Sequence, residues 1–152
     1  MSDARVAVVA RVLATFVGVA AAQPIGPNGN LPMSAVQLEE RLRTEDFTIS
    51  GSEAAGGGVM GAKKLKLMFD SEPREIKVKW KAAPAGGDGW NNSPRREIGA
   101  YVAQSFFLEP DDQVVPPVVA RCIPLDAYRV LDPHAKPNIE GTNCVFGAIS
   151  AW

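Results

Sequence analysis

Hydrophobic and polar positions alternate along this chain with two different periods, and the switches between them predict its elements. Val36, Leu38 and Leu42 recur at helical spacing behind Ser34-Ala-Val-Gln37. There the Ser34 hydroxyl and the Gln37 amide can satisfy each other's backbone donors, so a short helix to about Arg43 is expected. Phe47-Thr-Ile-Ser50 reads as a short strand. From Ala62 to Phe69 the period is two: Leu65, Leu67 and Phe69 share one face, and Lys64, Lys66 and Met68 the other. After a turn at residues 70–73, Ile76, Val78 and Trp80 alternate with Lys77, Lys79 and Lys81, which predicts a strand with Trp80 in the core. Helical spacing returns after Ser93-Pro94, a serine N-cap with proline at the first helical position. Ile98, Tyr101, Val102, Ser105 and Phe106 then form a mostly apolar stripe. Residues 114–124 are apolar with prolines at both ends, which confines that strand to an edge or makes them its start. A helical turn is expected over 125–130, a polar excursion over 132–141 and a last strand over 144–148. The fold class implied is α+β: an antiparallel sheet of about five strands, one main packed helix and a short N-terminal helix.

Composition adds bounds. The 152 residues are 46% hydrophobic and 22% charged, as in a globular protein of one domain. A net charge of -1 gives no bulk attraction for nucleic acid. Residues 1–22 read as a signal peptide: arginines near the start, the uncharged VLATFVGVAAA, and Ala20-Ala21-Ala22 as a small-residue cleavage site. That run is short for a membrane span, so the expected mature protein is exported, periplasmic or secreted, with no transmembrane segment. Residues 23–33, rich in Pro, Gly and Asn, read as a linker, and 34–152 as the domain. The two cysteines, Cys122 and Cys144, are compatible with one disulfide or with two small buried apolar residues. One histidine, His134 in a turn-like DPHAKP, and no C-x-x-C leave no metal-site spacing, so no structural metal is expected.

The candidate chemistry is concentrated in three places. Gly56, Gly57, Gly58 and Gly61 lie in a loop between two strands, where glycine lets backbone N–H groups approach a ligand. A flexible hairpin loop is the plainer alternative, and the spacing is not that of a P-loop. Lys79 and Lys81 share one face of a strand and are not separated by sequence; either could face a cleft or simply be solvated. Glu97 stands in the first turn of the next helix, at the margin of its apolar stripe, where a carboxylate suits the helix dipole and can still reach inward. Lysine on a strand and glutamate on the following helix is how kinase small lobes hold nucleotide phosphates.

The segments IKVKWKAAP, NNSPRREIGAYVAQSFFL and VVPPVVARCIPL, in this order, resemble the small (N-terminal) lobe of atypical kinase-like proteins of the secretory casein-kinase, HipA and phosphoinositide-kinase-like groups. The likeness covers residues 48–152. Ala82, where proline is common, and Val118, where threonine often follows the two prolines, depart from the pattern. The resemblance implies that Glu97 pairs with Lys79 or Lys81, that residues 56–61 cover the phosphates of ATP carried with Mg, and that residues 146–152 approach an adenine-contacting hinge. It implies a missing or separate large lobe as partner, since the sequence holds no H-R-D or D-F-G. Such a chain would be catalytically incomplete alone, with apolar surface around Phe146 and Trp152 where the large lobe would dock. The alternative is a small exported α+β binding module with no nucleotide chemistry.

Overall fold

The structure is a computed structural model, described over residues 33–56, 61–85, 93–109 and 112–151. Residues 1–22, expected as a signal peptide, and nearly all of 23–33, expected as a linker, lie outside the described residues, as do Gly57, Gly58 and Trp152. In chain order come α1 (Ala35–Thr44), β1 (Phe47–Ala54), β2 (Lys63–Phe69), β3 (Glu72–Ala82), α2 (Arg95–Gln104), β4 (Val118–Pro124), α3 (Leu125–Tyr128) and β5 (Cys144–Ala151). The strands form one antiparallel sheet in the order β1-β2-β3-β5-β4. The class is therefore α+β, with the expected order of strands and helices.

The period-two pattern decides which side of the sheet meets the core. Leu65, Leu67, Phe69, Ile76, Val78 and Trp80 are all buried, and β5 and β4 add Ile149, Ala151, Val119 and Ile123. Leu38 and Leu42 from α1, and Leu125 and Tyr128 from α3, complete this cluster. Val36, grouped with them by spacing, instead stands exposed. The α1 capping box forms, with Gln37 N–H donating to Ser34 Oγ and Ser34 N–H to Gln37 Oε1. Trp80, 1% exposed, donates its indole N–H to the Tyr128 hydroxyl at 3.2 Å, so its one polar atom is satisfied inside the core. On β5, opposite Ala82 and diagonal to Trp80, the chain has Gly147, where an added Cβ would stand 2.6 Å from the indole ring and against the Lys81 carbonyl oxygen. Only glycine lets β5 run that close to β3.

Several boundaries differ from the pattern reading. β1 continues to Ala54 through an irregularity in its pairing between Ile49 and Gly51, and β5 continues to Ala151. β4 starts at Val118, not Val114, because Pro116 and Pro117 have no N–H to give a ladder. It is an edge strand, as the prolines require. Helix α2 has Pro94, already at helical φ -54° and ψ -27°, in the N-cap position, while Ser93 is buried and makes no side-chain cap. The apolar stripe of α2 is only half used: Ile98 and Tyr101 are partly covered, whereas Val102 and Phe106 are exposed and the buried side chain is Gln104.

Candidate functional site

Because Trp80 and Val78 point into the core, Lys77, Lys79 and Lys81 must emerge on the other side of β3. Register carries this through the sheet. Lys64 lies opposite Lys79, and Lys66 opposite Lys77. Lys81 pairs with Ala148 and Lys79 with Ser150 on β5, both buried small residues that leave room for the lysine stems. Helix α2 packs against β4 and β5 and brings its first turn over this surface.

There the Glu97 carboxylate accepts from two ammonium groups with the same oxygen: Oε1 is 3.1 Å from Lys79 Nζ and 3.2 Å from Lys81 Nζ. The side chains are partly withdrawn from water, at 32% exposure for Lys79, 12% for Lys81 and 24% for Glu97. One carboxylate thus serves two lysines. The cluster keeps one unit of positive charge in a partly desolvated place, where Coulomb forces are screened less than at the open surface.

What holds α2 at this distance is a polar row along its inner side. Four residues after Glu97, the Tyr101 hydroxyl donates to Glu39 Oε2 of α1 at 2.6 Å. Burial first, and then the adjoining Glu39 carboxylate, push the Tyr101 phenol well above its usual pKa, because both disfavour the phenolate. Three residues further, Gln104 Oε1 accepts from the N–H groups of Val114 (3.1 Å) and Val115 (2.9 Å), and its Nε2 donates to the Val115 carbonyl at 2.7 Å. Positions i, i+4 and i+7 lie on one helix face, so a single stripe carries all three anchors.

Beyond β3 the chain is tied by Asn138 of the polar excursion. Its amide nitrogen donates to the carbonyls of Ala83 (2.8 Å) and Phe146 (2.7 Å), and its oxygen accepts the Phe146 N–H at 2.8 Å. The loop from β3 to α2 therefore leaves the sheet at a fixed point. Nearby, Cys122 on β4 and Cys144 at the start of β5 are joined in a disulfide with Cα atoms 5.4 Å apart.

The glycine positions are placed less closely. Ala55 N–H donates to the Ala62 carbonyl at 3.2 Å, closing the β1–β2 hairpin, with Gly56 exposed just inside it and Gly61 at φ +67°. The structure thus brings Lys79, Lys81 and Glu97 together, places Gly56 and Gly61 at the mouth of the hairpin, and leaves Gly57 and Gly58 outside the described residues. Phe146 is partly buried within an interior strand of the sheet. Among the described residues no group of three or more His, Cys, Asp or Glu side chains is placed to hold a metal ion, and no helix is long and apolar enough to cross a membrane.

Sequence reasoning missed Gln104, Asn138 and the Glu39–Tyr101 bond. Tyr101 carried a signal, standing one helical turn from Glu97. Gln104 and Asn138 carried none, because their partners are backbone groups of segments far from regular spacing.

The fold and its cluster define a small α+β domain with two lysines and one glutamate gathered in a partly buried place of net positive charge. No protein-family model matches the sequence, and neither a curated protein nor a solved structure matches it.

Proposed function

We propose that this chain is the nucleotide-phosphate-binding small lobe of an exported kinase-like protein, catalytically incomplete alone. The observation that carries the reading is the shared Glu97 oxygen between Lys79 and Lys81, on a helix inserted between the third and fourth strands of a β1-β2-β3-β5-β4 sheet. A glutamate that restrains two lysines leaves their remaining N–H donors directed at one anion, and phosphate oxygens are acceptors for such charge-assisted bonds. The β1–β2 hairpin adds backbone N–H groups near its glycines. Mg would arrive with the nucleotide, bridging its phosphates. Phosphoryl transfer would need the catalytic and metal-binding aspartates of a large lobe, which the sequence does not supply.

Titration of the protein with ATP-Mg, alongside Lys79→Ala, Lys81→Ala and Glu97→Ala, tests the reading. Binding by the wild type is expected, weakened about tenfold by each lysine substitution, the scale of one lost charge-assisted hydrogen bond. Glu97→Ala should cost less, because the carboxylate positions the lysines and does not touch phosphate. No binding by the wild type, or equal affinity in all four proteins, would discard the proposal.

One observation favours the second reading, a small α+β binding module without nucleotide chemistry. Val102, Phe106, Phe107 and Val114 are exposed together around the C-terminal end of α2. Exposed apolar groups of this kind mark protein contact surfaces. Failure of the nucleotide titration would leave this reading ahead.

A further inference from the structure

The lysine side of the sheet holds more positive charge than the Glu97 cluster explains. Lys64, Lys66, Lys77, Lys79 and Lys81 all emerge on it, and they face one another directly: Lys64 opposite Lys79, Lys66 opposite Lys77. Residues so paired have Cβ atoms about 4.5–5.5 Å apart, and like charges there destabilise a sheet. Three glutamates answer the five lysines. Glu53 lies opposite Lys64, Glu75 Oε2 is 3.9 Å from Lys66 Nζ, and Glu97 serves Lys79 and Lys81. Lys77 makes no ion pair among the described residues. This arrangement surrounds a recess of about 110 Å³, several times what one water needs, lined by Ser52, Glu53, Lys64, Lys66 and Lys77 over the backbone of β2 and β3. Its walls carry three ammonium groups and one carboxylate beside the backbone at Leu65 and Val78, so the polar groups it offers are mostly cationic donors suited to an oxyanion.

We infer that this recess is a second anion subsite, so that the ligand of this face is a linear polyphosphate whose chain runs from Lys79 and Lys81 into the space between Lys66 and Lys77. The inference rests on the phosphate reading of the Glu97 cluster and gives it a ligand class. Lys77 to Lys81 spans about 13 Å of strand, at roughly 3.3 Å per residue, which suits a chain of several phosphates better than a single one. The triphosphate of a nucleotide and inorganic polyphosphate share this chemistry. The subsite would account for repelling lysines kept opposite one another, a cost in stability retained for binding.

The test is calorimetric titration of the full chain with inorganic tripolyphosphate, orthophosphate, ATP and adenosine at fixed salt. Four proteins are compared: wild type, Lys66→Gln with Lys77→Gln, Lys79→Gln with Lys81→Gln, and a control, Arg129→Gln with Lys136→Gln, which removes the same charge elsewhere. Circular dichroism verifies that each is folded. Both lysine pairs should lose about tenfold or more in tripolyphosphate affinity, the control should lose less than about threefold, and orthophosphate should bind far more weakly than tripolyphosphate. ATP no tighter than tripolyphosphate would identify the phosphate chain as the recognised part; ATP much tighter, with measurable adenosine binding, would show that a base is read and overturn the ligand class. If only the Lys79 and Lys81 pair matters, the recess is not a subsite while the phosphate reading stands. If only the Lys66 and Lys77 pair matters, the Glu97 cluster is not a phosphate site and the proposed function fails, together with the two-subsite inference. Equal loss in the control reduces the effect to net charge and overturns the inference.

Discussion

Tyr101 shows how a single side chain can carry information about helix placement. Its hydroxyl reaches across to Glu39, and burial with that carboxylate raises its pKa, so the folded state favours the protonated phenol. The sign follows from linkage. A folded pKa above the unfolded value near 10 contributes stability that is complete below about pH 10 and is lost as pH rises through the folded value. Thermal melts between pH 8 and 11.5 should therefore show a loss of stability above about pH 10 that is smaller in Tyr101→Phe. At neutral pH the same substitution should cost about 1 kcal/mol, as expected for one hydrogen bond in a partly exposed place. Substituting Glu97 should change stability by less than about 1 kcal/mol, because its ion pairs remain partly hydrated; a urea titration of Glu97→Ala measures this. The presence of a carboxylate in the first turn could be read from sequence. Its use of one oxygen for two lysines could not, because that depends on how far α2 sits from β3.

Among the elements, α2 departs furthest from what its pattern implies. A helix that packs by an apolar stripe is placed by shape. This one is placed by three polar anchors at Glu97, Tyr101 and Gln104, while Val102 and Phe106 remain exposed. Gln104 is the strongest of the three, since it satisfies two backbone N–H groups and a carbonyl of the segment that leads into β4. Gln104→Ala should cost about 2–3 kcal/mol in chemical denaturation, more than one neutral hydrogen bond, because it leaves several groups unpaired. Conservative Gln104→Glu should recover only part, since a carboxylate keeps the acceptor and loses the donor. The close passage of β3 and β5 gives a second expectation at this scale. Gly147→Ala would push a methyl group into the Trp80 ring and the Lys81 carbonyl, neither of which can yield, and should destabilise by about 3 kcal/mol or prevent folding. A shifted denaturation midpoint, or loss of soluble protein, is the readout. The strands themselves were legible, since period two with large apolar residues leaves little choice. The start of β4 was not, because two prolines inside an apolar run look like strand to a hydrophobicity pattern and are excluded only by the missing donors.

Over the whole molecule, the chain closes on itself through β5, which inserts between β3 and β4 and brings residues 147–151 beside 78–82. The Cys122–Cys144 bridge ties that insertion to the edge strand across a separation of 22 residues. Constraining a loop of that length in the unfolded chain is worth about 3 kcal/mol. Reduction, or Cys122→Ala with Cys144→Ala, should lower stability by about that amount, and melts with and without reductant provide the comparison. The sequence by itself determined the α+β class, the order of the elements, the strand faces and the first-turn position of Glu97, because each follows from local periodicity and from neighbours within a few residues. Only the tertiary structure decided which lysines meet that glutamate, which face of α2 turns inward, where Asn138 ties the chain and how the lysines of β2 and β3 come to face each other. Those outcomes depend on register and on contacts between segments tens of residues apart, and no local pattern encodes such distances.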